Sequence, residues 1–367
     1  MFVPPTTQWW QSQPSETPIE RFGSARRNVD VQTVSHWLTG QNLKHQSLEA
    51  MGKQASGREY FRVIGSTHPM VVMYTPVEDK PAEIGGDVAG DDLPFRHVRR
   101  WMESRGLPVP KEYLWDAEKR FLVLEDLGPV TLETALSESD RSMESLYGEA
   151  VDLLARLHER CQDANADDLP GLAKRFDHDF LRWELDHFRE WLIDERRDEP
   201  LPSDALRSLN PMLDRLADEV ASIPEGFTHR DFQSRNLMLA DRGLVMLDFQ
   251  DALRGPCCYD LVALLRDSYV EIPEPLLSEL IERYRQQRTG LPDAETFRRW
   301  FDTNALQRKL KDAGRFVYID VVKGNPAFLP HIPLSLKYVD EAFDRLPDYR
   351  DLRCQIAPFV PELSQEF

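Results

Sequence analysis

The spacing of apolar residues divides the chain into two unlike parts. In the first part, apolar residues alternate with polar ones in short runs, which predicts β-strands. Helical patterns at 29–38 and 95–105 precede and interrupt these runs. The predicted strands form an antiparallel meander followed by a hairpin, and they cover residues 43–51, 59–64, 69–75, 112–115 and 121–124.

Beyond residue 127 the apolar residues recur with the period of an α-helix. Nearly all of the chain after Tyr259 has this character. Two short apolar strands, 237–239 and 244–247, interrupt the helical pattern. Further helices are predicted at 145–161, 179–193 and 211–221. A small antiparallel-sheet lobe followed by a larger helical lobe is an α+β, bilobal arrangement.

The pattern of apolar and polar residues predicts three segments. Residues 1–27 are rich in Pro, Ser, Thr and Gln and are predicted to be a flexible tail, in which Trp9 and Trp10 are unusual. Residues 28–127 are predicted to form the sheet lobe, and residues 128–367 the helical lobe.

The chain is strongly acidic. Its 367 residues carry a formal net charge of −18, with 41% hydrophobic and 29% charged residues, as is typical of a soluble, globular protein. Such a surface repels phosphates, so neither nucleic acid nor an anionic membrane is an expected partner. No signal-peptide pattern and no apolar run of roughly 18 residues is visible, so a cytoplasmic location is predicted.

Four cysteines occur, and their spacing matches neither a C-x-x-C motif nor a zinc site. Reduced thiols are therefore predicted at Cys161, Cys257, Cys258 and Cys354.

The clearest chemical signal lies between His229 and Gln250. Residues 229–236, His-Arg-Asp-Phe-Gln-Ser-Arg-Asn, match every fixed position of the kinase catalytic loop H-R-D-x-x-x-x-N. Asp248-Phe-Gln250 then follows an apolar strand, where kinases have their metal-binding D-F-G motif. Both motifs at this spacing, with a strand-turn-strand between them, distinguish the segment from a chance polar loop.

These residues suit phosphoryl transfer. Asp231 is predicted to accept the proton of an acceptor hydroxyl and to orient that hydroxyl toward the γ-phosphate of ATP. Asn236 and Asp248 offer the oxygen ligands that Mg²⁺ prefers. ATP and Mg²⁺ are therefore the predicted cofactors.

Further positions are predicted to support the nucleotide. Gly52 and Gly57 border a loop whose backbone can approach the phosphates, although an ordinary hairpin turn explains them equally well. Arg58 is a candidate for the phosphate charge. Glu125 and Leu127 lie where the lobes join and are expected to meet the adenine.

Three residues around the catalytic loop are predicted to support it structurally. His229 is expected to pack the loop, and Arg230 to pair with a carboxylate. Asp260 is expected to accept backbone N–H groups of the loop.

Together these segments resemble the aminoglycoside phosphotransferase/choline kinase superfamily. Within it they are most similar to the anomeric kinases of N-acetylmuramate and N-acetylglucosamine in cell-wall recycling. The segments 229–238 and 247–267 carry the resemblance. So do two helices, since Trp183–Trp191 resembles the pattern E-L-x-x-F-x-E-W and Ala305–Lys311 also fits. The resemblance covers roughly residues 30–350 and is closer in the helical lobe.

The resemblance implies a protein-kinase-like fold and transfer from ATP, with Mg²⁺, to the 1-hydroxyl of an amino sugar in peptidoglycan recycling. It makes Asp231 the base and Asn236 and Asp248 the metal ligands. For Arg266 a structural salt bridge is an equal alternative to sugar binding. The residues expected to contact the sugar are Gln233, Gln250, Asp251, Arg266 and Asp267.

One departure concerns the third strand, which in kinases ends in V-A-I-K with a phosphate-binding lysine. Here Val71-Val-Met-Tyr74 places Met73 near that position. The phosphate charge is then left to Mg²⁺ and to Lys53, Arg58 or Arg62. Two alternatives stay open: transfer to another alcohol, such as an aminoglycoside, choline or homoserine, and an ATP-binding pseudokinase, which the missing lysine favours.

Overall fold

The computed structural model describes residues 29–53, 58–76 and 93–363. The tail with Trp9 and Trp10 and residue Gly57 of the predicted phosphate loop lie outside the described residues. The sheet lobe contains β1 (Ser47–Lys53), β2 (Glu59–Ile64), β3 (Met70–Tyr74), β4 (Glu112–Asp116) and β5 (Phe121–Glu125). They form one antiparallel sheet in the order β1-β2-β3-β5-β4. Gly52, predicted to begin the loop, lies within β1.

A helix packs on each face of this sheet. The first, α1 (Val31–Gly40), places Trp37 and Leu38 against Val72 and Val123 of the sheet. The second, α2 (Pro94–Ser104), begins with proline at its first position, where the missing N–H costs nothing.

Because side chains alternate across a strand, the residues next to Val72 face the other way. Met73 is 1% exposed and shares a core with Phe95 and Val98 of α2. An apolar contact therefore stands where a kinase would place its lysine.

The rest of the described chain is mainly helical. Its helices are α3 (Leu132–Glu138), α4 (Met143–Arg160), α5 (His178–Phe188), α6 (Ser203–Ala221), α7 (Tyr259–Leu265), α8 (Glu274–Gln286), α9 (Ala294–Lys323), α10 (Ile332–Arg345) and α11 (Arg350–Ile356). Two antiparallel strand pairs interrupt them, β6 (Glu225–Thr228) with β9 (Leu253–Pro256) and β7 (Leu237–Ala240) with β8 (Gly243–Met246).

Several elements differ from the sequence prediction. Helix α6 begins at Ser203 and contains Pro211 in its interior, so the predicted start at residue 211 was wrong. The predicted helix 179–193 is α5 followed by a π-helical segment, Arg189–Glu195. Neither α3 nor the pair β6–β9 was predicted, because elements of four to seven residues are too short to show a period.

The two lobes share one apolar core. Met73 and Phe95 of the sheet lobe belong to the same buried cluster as Leu154 and Phe249 of the helical lobe. All four cysteines are free thiols, and three of them are buried. Within the described residues, no helix is both long and apolar enough to cross a membrane.

Candidate active site

Two strands bring the two predicted motifs to one edge. Because β7 and β8 are antiparallel, Leu237 pairs with Met246, and the residues just outside this pair meet. The N–H of Leu247 donates to the carbonyl of Asn236 at 2.8 Å. Asn236 and Asp248 therefore leave their strands side by side.

The three residues assigned to the chemistry are accessible from outside. Asp231 and Asn236 are half-buried and Asp248 is exposed. The Nδ2 of Asn236 donates to the carbonyl of Asp231 at 2.8 Å, which leaves Oδ1 as the amide atom offered to a cation. The Nε2 of Gln250 donates to Oδ1 of Asp248 at 2.7 Å.

These atoms fit a magnesium ion that shares its coordination with a nucleotide. Among the described residues, no group of three or more His, Cys, Asp or Glu side chains is arranged to hold a metal ion. Mg²⁺ typically takes one or two protein oxygens and completes its shell with phosphates and water. Asn236 Oδ1 and the Asp248 carboxylate form such a pair of ligands.

The backbone is strained at Asp248 and at Arg230, the neighbour of Asp231. Arg230 and Asp248 have φ angles of 77° and 61°, in the left-handed region that few residues other than glycine adopt. Such conformations cost about 1–3 kcal/mol each and persist only where neighbouring contacts enforce them.

Asp260 supplies such contacts to the catalytic loop. Its carboxylate accepts the N–H of His229 at 2.7 Å and the N–H of Arg230 at 2.8 Å, the backbone bonds predicted from the sequence. His158 Nε2 lies 3.0 Å from the same carboxylate, and its Nδ1 lies 2.6 Å from the Tyr284 hydroxyl. Burial raises the pKa of Asp260, and these backbone donors oppose the rise.

His158 was not identified from the sequence. The available signal was a histidine among the buried apolar positions of α4, next to Leu157.

His229 has a packing role, as predicted. Its ring is fully buried, and neither ring nitrogen has a hydrogen-bond partner among the described residues. The ring lies edge-on to Phe232 at 5.6 Å and to Phe249 at 6.5 Å. Phe249 in turn stacks on Phe95 of α2 at 4.9 Å, which links the catalytic loop to the sheet lobe.

Two residues predicted to bind the sugar have structural roles instead. Asp267 is fully buried, and it accepts the N–H of Ser234 at 2.9 Å and its hydroxyl at 2.5 Å. Arg266 is 3% exposed and pairs with Glu341 at 2.8 Å while its guanidinium lies over Tyr338 at 4.7 Å. The assignment of both to the sugar pocket was wrong, because neither has a free polar surface.

Gln233, Gln250 and Asp251 stay candidates for the sugar. Gln233 and Asp251 are half-buried, and Gln250 is buried beside Asp248. Burial raises the pKa of Asp251, and the charges of Asp231 and Asp248 add to the rise while Arg230 opposes it.

The pKa of Arg230 is also raised. Burial alone lowers its pKa, but the surrounding acidic groups, Asp231 first among them, raise it overall, so the guanidinium stays charged.

The junction between the lobes is already occupied by polar contacts. The Glu125 carboxylate pairs with Arg242 at 2.7 Å. The backbone N–H of Glu125 donates to the carbonyl of Lys111 at 2.9 Å. Arg62 is paired with Asp126 at 2.6 Å, and its contact with the ATP phosphates, one of three options from the sequence, stays a prediction. An adenine contact at Leu127, which is half-buried, stays a prediction.

Comparison with known proteins agrees with this geometry. The profile of the phosphotransferase enzyme family matches residues 47–300. An N-acetylmuramate/N-acetylglucosamine kinase of Pseudomonas aeruginosa is 33% identical over 303 residues, 81% of this chain and 84% of that protein. A kinase of the same name from Pseudomonas putida is 30% identical over 341 residues, 89% of this chain and 95% of that one.

Solved structures show the same fold at low sequence identity. A choline kinase from Streptococcus pneumoniae superposes with a TM-score of 0.57 at 16% identity, covering 84% of this chain and 98% of that one. An amicoumacin kinase in complex with AMP-PNP and Ca²⁺ superposes with a TM-score of 0.56 at 15% identity, covering 86% and 94%. The protein-kinase-like bilobal fold predicted from the sequence is confirmed, and the chain belongs to the phosphotransferase enzyme family.

Proposed function

We propose that this protein transfers the γ-phosphoryl group of ATP to the anomeric hydroxyl of N-acetylmuramate or N-acetylglucosamine, which yields the sugar 1-phosphate. The observation that carries the proposal is the arrangement of Asp231, Asn236 and Asp248 at one accessible edge. The names of the two Pseudomonas relatives support these sugars as acceptors.

Each residue has a distinct task in this reaction. Asp231 accepts the proton of the sugar hydroxyl as the new O–P bond forms and the bond from the γ-phosphorus to the bridging oxygen breaks, which releases ADP. Asn236 and Asp248 would hold Mg²⁺, which would offset the charge of the phosphoryl group. Asp260 and Asp267 touch no reacting atom and keep the loop in place. The complex of the amicoumacin kinase supports a nucleotide with a divalent cation in this fold.

Two alternatives from the sequence are less well supported. A cationic acceptor such as choline or an aminoglycoside would need a pocket dominated by carboxylates. Helix α9 instead brings two cations, Arg308 and the partly exposed Lys311, behind the catalytic loop. A pseudokinase would not need the full set of Asp231, Asn236 and Asp248.

The test is phosphorus NMR of the products formed from ATP, Mg²⁺ and each sugar. We expect a sugar 1-phosphate from the free sugars and none from their 1-O-methyl glycosides, in which the reacting hydroxyl is blocked. The Asp231→Asn variant is the control for contaminating kinases. Phosphorylation of the methyl glycosides at the same rate would refute the anomeric assignment, and a lack of turnover with either sugar would favour another alcohol or a pseudokinase.

A cytoplasmic role in the reuse of cell-wall sugars is part of the same proposal. The role in sugar reuse is supported by the resemblance of the motifs.

A further inference from the structure

A second set of charged residues lies on α9, outside the machinery described above. It contains three cations and one carboxylate, a local net charge of +2 in a chain whose net charge is −18. Buried charges are expensive unless they are paired or bind a ligand. We name this set the α9 cluster, and its members are Arg308, Lys309, Lys311 and Asp312.

A single carboxylate serves all three cations of the α9 cluster. Asp312 lies 2.6 Å from the Nζ of Lys309, 2.8 Å from the Nζ of Lys311 and 3.9 Å from the Nε of Arg308. One carboxylate therefore forms the ion pairs of three cations, while Glu184 and Asp231 add negative charge from farther away.

The two lysines of the α9 cluster differ in exposure. Lys309 is fully buried and also donates to the hydroxyl of Ser268 at 2.8 Å, so it is held inside the protein. The side chain of Lys311 is 17% exposed and can reach a ligand. Although burial opposes it, the charge of Asp312 raises the pKa of Lys311, which is therefore an ammonium at neutral pH.

The α9 cluster is adjacent to the catalytic loop. Arg308 Nη1 donates to the carbonyl of Arg230, the neighbour of Asp231, at 3.3 Å. The pKa of Tyr269, which is half-buried nearby, is raised by burial and also by the charges of Asp231 and Asp312. Helix α9 packs within the helical lobe, against α5 and α7, whereas the nucleotide is expected beside the sheet lobe, so we expect the acceptor on the α9 side of the loop.

Polar atoms beside the α9 cluster lack partners. The Tyr259 hydroxyl, Arg308 Nε and Gln307 Oε1 are buried without a hydrogen bond among the described residues. Arg308 lies over the Tyr259 ring at 4.6 Å, and Gln307 Nε2 donates to Glu184 at 2.9 Å, so these atoms occupy one neighbourhood. Buried polar groups are normally satisfied, so these atoms call for water or a polar ligand as partner.

We propose that Lys311 binds the lactyl carboxylate of N-acetylmuramate and determines a preference for that sugar over N-acetylglucosamine. The inference rests on the proposed function, since it concerns the acceptor of the same reaction. The two sugars differ by one carboxylate-bearing lactyl ether, and Lys311 is the partly exposed cation of a cluster whose ion pairs all use one carboxylate. Neutral N-acetylglucosamine gains nothing from this charge.

The experiment compares kcat and KM for both sugars in the wild type and in Lys311→Met, which keeps an apolar stem and removes the charge. A hydrogen bond to a charged group corresponds to about 10–100-fold in binding. We expect kcat/KM for N-acetylmuramate to fall by about that factor, mainly through a higher KM. For N-acetylglucosamine we expect kcat/KM to stay within about threefold of the wild type.

Lys311→Arg should recover part of the N-acetylmuramate rate. Lys323→Met, on the exposed last turn of α9, is the matched control.

A second measurement uses the wild-type protein and so does not depend on folding of a variant. It compares N-acetylmuramate with its lactyl amide, which has nearly the same shape and no charge. We expect the amide to lose the same factor in kcat/KM as Lys311→Met loses with the acid.

Other results would contradict either the inference or the proposed function. Equal losses for both sugars in Lys311→Met, or equal rates for the acid and the amide, would refute the inference while leaving the proposed function intact. If the wild type phosphorylates neither sugar, the proposed function fails and the inference fails with it.

Discussion

Asp260 holds the catalytic loop from inside the protein, and its replacement by asparagine is a sharp test of that role. The change keeps the shape of the side chain but converts one carboxylate oxygen into an NH₂ donor. That donor then faces one of the two backbone N–H groups, of His229 or Arg230, that Asp260 now accepts at 2.7 and 2.8 Å. Because Asp260 is fully buried, solvent does not compensate for the loss.

The magnitude follows from these contacts. A buried donor left without an acceptor costs about 1–3 kcal/mol, and the remaining hydrogen bond loses its charge, which costs about 1 kcal/mol more. The total is comparable with the strain at Arg230, about 1–3 kcal/mol, so the loop can relax from its left-handed conformation. Small displacements of a catalytic group cost about 100-fold in rate, and we expect kcat of Asp260→Asn to fall by that factor.

Steady-state kinetics and thermal unfolding of the same samples check this prediction. The unfolding midpoint should drop, while KM for ATP should change little because β7 and β8 still place Asn236 and Asp248. Asp241→Asn, at an exposed turn position, is the matched control. A kcat within threefold of the wild type together with an unchanged midpoint would show that Asp260 does not hold the loop.

Three further outcomes are expected. Asp231→Asn should lower kcat by about 10²–10⁴-fold while nucleotide binding, measured by calorimetry, is retained; weakened binding of the same size would contradict its role as base. Asp248→Asn should shift the Mg²⁺ dependence of the rate to higher concentration, and an unshifted titration would rule it out as a ligand. Burial raises the pKa of Asp312, but the charges of Lys309 and Lys311 outweigh this effect and hold the pKa well below its usual value. The Asp312 carboxylate therefore stabilises the fold above about pH 4, and this contribution is lost on acidification. Asp312→Asn should therefore cost about 3–5 kcal/mol at neutral pH in chemical denaturation, with the difference shrinking below pH of about 4, and a pH-independent difference would oppose this account.

The sequence by itself indicated the candidate catalytic centre. Phosphoryl transfer needs a base and two metal ligands at set separations on a loop and the strand after it, so Asp231, Asn236 and Asp248 were visible as a pattern. Local alternation also placed strands well, and β2 has the predicted bounds, Glu59–Ile64. Both signals are carried by residues close together in the chain, which is why a single sequence reveals them.

Only the tertiary structure decided what surrounds that centre. Arg266 and Asp267 follow the metal-binding strand and resemble pocket residues, but packing buries both and pairs them with Glu341 and Ser234. The position of the α9 cluster beside Asp231 was equally invisible, because helices distant in sequence meet only when their apolar faces pack. Side-chain burial and long-range partners are properties of that packing, and they separate the residues that do chemistry from those that hold them.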